Sequence, residues 1–267
     1  MKRLKNLISL LLLFSMLLVL CACGNNGVSA GYRIISASIG SGELCVAFRD
    51  GDALGDAVTA ALKKLAADGA LSSISLKWTA QDLVTLEGDV NALEHLNYDS
   101  SQRTELIVGL DMSRAPLSFK SGGRYEGFDI DAASAVCDLF GWELKLQPID
   151  AENVSVELAS GNIDCAFGSF GESVSGYVLS PAYMEFEYVL AVPTSSRIKR
   201  LSQLKGKTIC AISDQPLLAA LDADTRLSEK LDSVQTLPSA ESCLNSISNG
   251  FADAAVIDSI SAIYYMK

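Results

Sequence analysis

Glu105-Leu106-Ile107-Val108-Gly109-Leu110 and then Phe128-Asp129-Ile130-Asp131-Ala132-Ala133-Ser134-Ala135-Val136-Cys137-Asp138-Leu139-Phe140-Gly141 set the reading of this chain. The first run is short, apolar and bounded by polar residues, which predicts a strand. In the second, Ile130, Ala133, Val136, Cys137 and Phe140 recur at helical spacing on one face, and Gly141 stands where a helix stops. The same alternation continues downstream. Strands are expected at 143–147, 163–167, 187–192, 207–212 and 254–257, and helices at 154–159, 217–221, 240–248 and 259–265. Strands alternating with helices of this length predict α/β units on a largely parallel sheet.

Upstream, 32–36 and 44–48 read as strands separated by Gly40, Ser41 and Gly42. Residues 56–68 predict an amphipathic helix with Val58, Ala61, Leu62 and Leu65 on its apolar face and Gly69 at its end; a second helix follows over 71–78. The polar stretch 81–103 reads as a linker with one helical turn around 92–96.

The first residues bear on location. Lys2, Arg3 and Lys5 precede an apolar run from Leu7 to Leu20, short for a membrane span of about 20 residues, as in a signal peptide. Leu20-Cys21-Ala22-Cys23-Gly24 places a small residue before Cys23, which predicts cleavage after residue 22 and lipidation of Cys23, with 23–30 as a tether. An uncleaved signal anchor is the alternative. On the lipidated reading the chain is extracytoplasmic and held at the membrane by its lipid anchor. The formal net charge is −11, and the signal peptide carries three of the positive charges, so the exported part stands near −14. Such a surface disfavours nucleic acid as a partner. Of seven cysteines, Cys45, Cys137, Cys165, Cys210 and Cys243 remain after the signal and the lipid site, an odd set inside largely apolar runs, read as small buried hydrophobes. There is no C-x-x-C, and His95 is the only histidine, which argues against zinc and against a histidine-based triad. No cofactor is implied.

Several motifs carry a resemblance: Val108-Gly109-Leu110-Asp111, Ala115-Pro116-Leu117-Ser118-Phe119, Gly127-Phe128-Asp129-Ile130-Asp131, Ser160-Gly161-Asn162-Ile163-Asp164, Leu179-Ser180-Pro181-Ala182-Tyr183, Leu204-Lys205-Gly206-Lys207 and Ala252-Asp253-Ala254-Ala255-Val256-Ile257-Asp258. In this order they resemble the opening, larger part of the polar-amino-acid-type solute-binding proteins of ATP-driven (ABC) importers, family 3. The family's closing part resembles Val46-Ala47-Phe48-Arg49-Asp50-Gly51-Asp52, Leu62-Lys63-Lys64-Leu65-Ala66-Ala67-Asp68-Gly69 and Ser75-Leu76-Lys77-Trp78, which stand at the front of this chain. Tyr264-Tyr265-Met266-Lys267 reads on into Gly31-Tyr32-Arg33-Ile34. The resemblance therefore implies a circularly permuted, two-lobed type II periplasmic-binding-protein-like α/β fold with a cleft between lobes. Residues 81–103 would join the old termini, and about 20 extended residues at roughly 3.3 Å each can span the distance. One lobe would be formed by 46–188 and the other by 31–39 with 194–267, with hinge connections at 40–45 and 189–193.

In that frame Asp111, at the end of a strand, either faces the ligand or caps a turn. Arg114 either pairs an anionic group in bidentate fashion or lies solvated at the surface. Phe119 is a wall residue or part of the core. The resemblance places Ser169, Phe170 and Gln215 at the ligand. It also makes Asp258 the acceptor of a ligand ammonium, with capping of the last helix as the alternative. The family's carboxylate-clamping arginine has no counterpart in Gly168-Ser169-Phe170-Gly171-Glu172-Ser173-Val174-Ser175-Gly176, and Ser213-Asp214-Gln215-Pro216 puts a negative charge at a helix start. An amine, a cationic compound or a peptide fragment fits this charge better than an ordinary amino acid, unless Arg114 replaces the lost arginine.

The implied activity is a non-catalytic, monomeric receptor that hands a small solute to an ABC permease. Its rivals are a sensory or degenerate binding lipoprotein and a dehydratase or lytic enzyme on the same fold. No nucleophile–base pair supports an enzyme, and Gly206-Lys207-Thr208 is not a phosphate loop because Leu201 stands where its first glycine belongs.

Overall fold

A computed structural model describes residues 31–35, 39–170 and 176–266. The signal segment, Cys23 with its tether, and Glu172 lie outside the described residues. The chain forms β1 (Tyr32–Ile35), β2 (Ser41–Phe48), α1 (Leu54–Ala67), α2 (Ala70–Thr79), β3 (Glu105–Leu110), a small hairpin group β4 (Ser113–Arg114), β5 (Ser118–Ser121) and β6 (Arg124–Glu126), then α3 (Phe128–Phe140), β7 (Glu143–Pro148), α4 (Val154–Ser160), β8 (Cys165–Gly168) and β9 (Val178–Leu179). It continues through β10 (Met184–Pro193), β11 (Thr208–Ile212), α5 (Gln215–Ala223), α6 (Thr225–Ser228), β12 (Ser233–Leu237), α7 (Ala240–Ser248), β13 (Ala254–Asp258) and α8 (Ser259–Tyr265).

The strands run in the order β12-β11-β13-β10-β2-β8-β3-β7, with β1 on β10 and β9 on β2. Two parallel groups sit at the ends: β7, β3 and β8 at one, β12, β11 and β13 at the other. The middle is antiparallel, because β10 opposes β13, β1 and β2, and β2 opposes β8. The largely parallel sheet expected from the alternation therefore holds only in the two outer groups. β10 explains the difference. Its first residues, Met184 to Glu187, pair with β2, and Tyr188 to Ala191 pair with β13, so one long strand joins both halves.

Leu44 to Phe48 of β2 are all buried, as expected of a central strand covered on both faces. On α1 the buried residues Leu54, Ala57, Val58, Ala61, Leu62 and Leu65 keep the spacing read from the sequence. α3 ends at Gly141 in the left-handed conformation, again as read. The five cysteines that follow the first 30 residues are free and buried.

The stretch 81–103 is more than a slack tether. Val84 bridges to Met184, Thr85 N–H donates to Tyr183 O at 3.0 Å, and Arg103 pairs with Asp164 at 2.7 Å. Leu83, Leu86, Leu93 and Tyr98 pack on the core. Turns occupy the region expected to be helical, and a single 3-10 turn forms at Ser100–Gln102.

Candidate functional site

The carboxyl ends of the two parallel groups face one another across a cavity of about 380 Å³. From the first group, Asp111 follows β3, Ala151 and Glu152 follow β7, and Ser169 and Phe170 follow β8. From the second, Ser213, Asp214 and Gln215 follow β11, Pro238 and Ser239 follow β12, and Asp258 ends β13. Parallel strands place their following loops on one side, which is why ligand sites in α/β proteins collect there.

Three helices of the second group start at the cavity, and each is capped by its own first polar side chain. Asp214 accepts from Leu217 N–H at 3.0 Å, Ser239 from Ser242 N–H at 3.1 Å, and Asp258 from Ser261 N–H at 2.7 Å. These caps satisfy amides that would otherwise be free for an anion, and two of them carry a negative charge. The cap and cavity roles of Asp258 therefore coincide: it caps α8 and lines the cavity, being only 2% exposed. Asp111 combines both roles too, with Oδ1 accepting from Ser113 N–H at 2.9 Å while the residue lines the cavity.

Arg114 is no solvated surface residue. Its side chain is 14% exposed, Nη1 stands 3.6 Å from Asp214 Oδ2, and the guanidinium lies 5.9 Å from the Phe186 ring centre. Burial opposes its charge, but the carboxylates of Asp258, Asp214 and Asp111 and the hydroxyl of Tyr188 outweigh it, so its pKa lies above the ordinary value. Nη2 is buried and has no hydrogen-bond partner among the described residues. Tyr188 in turn donates to Asp214 Oδ1 at 2.7 Å. Burial, reinforced by that carboxylate, pushes the Tyr188 pKa up.

Four carboxylates (Asp111, Glu152, Asp214, Asp258) thus face one guanidinium among the described lining residues. The wall is closed across the halves by Gln215 Nε2 donating to Glu152 Oε1 at 3.2 Å and by Ser261 Oγ lying 3.0 Å from Ala115 O. Phe170 and Tyr177, with ring centres 5.9 Å apart, add an aromatic side.

Six of the residues expected at the ligand converge here: Asp111, Arg114, Ser169, Phe170, Gln215 and Asp258. Phe119 does not. It packs edge-on against Trp78 at 5.7 Å and at a tilt against Tyr264 at 6.0 Å, taking the packing role that was its alternative. β5 turns it toward α2 and α8, away from the cavity. Sequence reasoning missed Glu152, Ser155, Tyr177, Ser239 and Ser261 as lining residues. Ser239 carried a legible signal, a serine directly before an amphipathic helix. The others sit in single polar positions with no periodicity to mark them.

The sequence model of the bacterial extracellular solute-binding proteins, family 3, matches residues 106–255, more than half of the chain. The chain belongs to this family. The arginine-binding extracellular protein ArtP of Bacillus subtilis is 27% identical over 112 residues, covering 41% of this chain and 44% of ArtP, so this solute-binding protein spans less than half of that relative. A histidine-bound substrate-binding protein of an ABC uptake transporter from Streptococcus pneumoniae superposes with a TM-score of 0.55 at 28% identity, covering 66% of this chain and 72% of that one. The ancestral amino acid-binding protein AncCDT-1, a precursor of cyclohexadienyl dehydratase, does so with a TM-score of 0.52 at 26% identity, covering 61% and 75%. The relatives are named as binding proteins. Among the described residues no helix is long and apolar enough to cross a membrane.

Proposed function

We propose that this protein is an extracytoplasmic solute-binding lipoprotein. It captures a small amine-bearing solute, an amino acid, an amine or a peptide-like compound, in the cavity between its halves and delivers it to an ABC importer. The observation that carries this reading is the cavity itself. Its volume suits a small molecule, and four carboxylates against one guanidinium suit a positively charged one. The names of the arginine-binding and histidine-bound relatives point the same way. Lipidation at Cys23 rests on the sequence motif and would keep the monomeric receptor beside its permease.

Thermal unfolding of the purified full chain in detergent, against amino acids, amines and short peptides, tests the reading. A cationic compound at a hundred times its Kd is expected to stabilise the fold by about 2.7 kcal/mol and raise the midpoint with dose. A cooperative transition that no compound shifts would instead favour a sensory or scaffolding lipoprotein.

The chain order supports a circular permutation with the halves assigned as 46–188 and 31–39 plus 194–267. β2 lies between β10 and β8 although it precedes both by far in sequence. The last helix packs on β10, the strand that also pairs with β1.

A further inference from the structure

Among the described lining residues the cavity holds one guanidinium, that of Arg114. The acids around it are largely committed. Asp258 is held by Ser261 N–H and Oγ, Asp214 by Leu217 N–H and the Tyr188 hydroxyl, and Asp111 by Ser113 N–H and Oγ. Arg114 forms one ion pair, the 3.6 Å approach to Asp214 without a hydrogen bond, and it also acts at longer range on Asp258, Asp111 and the buried Asp129; its Nη2 is buried with no hydrogen-bond partner among the described residues. A charged donor is thus held in place, by Asp214 on one side and the Phe186 ring on the other, with its hydrogen-bonding capacity unspent.

We propose that Arg114 is the carboxylate anchor of the bound solute, which therefore carries a carboxylate at the β4 side and a cationic group toward Asp214, Asp258 and Glu152. This rests on the cavity being a solute site. Three arguments support it. Arg114 lines the cavity with a side chain 14% exposed, and a bare amine offers no anion to that guanidinium. At each of the three helix starts that could otherwise receive a carboxylate, a cap side chain already takes one amide, and two of these caps, Asp214 and Asp258, are themselves carboxylates. A planar guanidinium offers paired N–H groups that match a carboxylate, which a lysine at this position would not.

The test is calorimetric binding to the purified full chain of matched pairs: arginine with agmatine, lysine with cadaverine, histidine with histamine, and each amino acid with its methyl ester. Wild-type protein is expected to prefer the carboxylate-bearing member of the best-bound pair by about tenfold or more, the scale of one charged hydrogen-bonded contact. Arg114→Gln should erase that preference, and Arg114→Lys should keep only part of it. The methyl ester comparison needs no variant and establishes the carboxylate preference; if Arg114→Gln fails to fold, the partial loss expected in Arg114→Lys assigns it, and an undiminished preference in that variant overturns the assignment. Equal binding of amino acid, amine and ester by the wild type overturns the Arg114 assignment and leaves the solute-binding reading standing. A preference that survives in folded Arg114→Gln also overturns it. Binding by no compound at all overturns both.

Discussion

Asp129 has a fully buried carboxyl that accepts from the Tyr183 hydroxyl at 2.7 Å, below a narrow crevice that Arg114 and Asp111 also line. Burial raises its pKa from 3.8 to about 6, against the opposing pull of the Tyr183 hydrogen bond and Arg114. The folded protein therefore binds this proton more tightly than the unfolded chain does. Its cost to stability is absent below about pH 4, grows as pH rises, and is complete above about pH 6. Asp129→Asn keeps an acceptor for Tyr183, so it is expected to be more stable than wild type at pH 7.5, by up to about 3 kcal/mol, and no more stable at pH 4. Denaturant unfolding of both proteins at the two pH values checks this. At Asp258 the two roles can be separated. Asp258→Asn keeps an N-cap of similar strength and removes the charge, so affinity for cationic solutes should fall with the cap of α8 in place, and any loss of stability reports the weaker compensation of buried Arg114. Asp258→Ala would lose both. Asp111 and Asp258 were legible as candidates because an aspartate at a strand end is conspicuous. The burial of Arg114 was not, since nothing in Ser113-Arg114-Ala115 distinguishes an enclosed arginine from a solvated one.

The elements hold the site through junctions as much as through their own regularity. Gly127 is one such junction: its φ is 142°, and a Cβ there would lie 2.1 Å from Leu117 O. That close approach lets Phe128 and Asp129 N–H groups bond to Pro116 and Leu117 carbonyls, which ties the start of α3 to the turn that carries Arg114. Gly127→Ala is expected to cost about 2–4 kcal/mol and to loosen solute binding with it, as read by denaturant unfolding and calorimetry. Ser239→Ala, which removes the cap of α7, should cost about 1 kcal/mol. Phe128–Phe140, Ala240–Ser248 and Ser259–Tyr265 were legible to their ends, because an apolar face with a cap or a glycine beside it marks a helix by local chemistry. β12 was not. Four of its five residues, Ser233 to Thr236, are exposed, and an edge strand that buries little leaves little hydrophobic signature.

For the whole molecule, the decisive question is chain order. If the present order is a permutation of a single fold, then placing 104–267 before 31–80 should give a protein with one cooperative unfolding transition and the same solute preferences. Circular dichroism melting and the matched-pair titration read both properties, and a chain without a cooperative transition would count against the permutation. The segment 81–103 would be the one cost of that rearrangement, since it contributes Leu83, Leu86, Leu93 and Tyr98 to the core and the Arg103–Asp164 pair to the first half. The Gln215–Glu152 and Ser261–Ala115 contacts cross between the two halves.

By itself the sequence determined the α/β alternation, the family resemblance, most of the elements and the core faces, because these follow from spacing and capping within a few residues of chain. The tertiary structure alone decided that the middle of the sheet is antiparallel. Burial on both faces gives a strand the same apolar pattern whichever way its neighbours run. It also decided that Asp111, Arg114, Asp214 and Asp258, distant along the chain, share one cavity while Phe119 turns away from it. Each sits in a loop or at a strand end whose few residues carry no periodicity, so their meeting is fixed only when both strand groups are assembled.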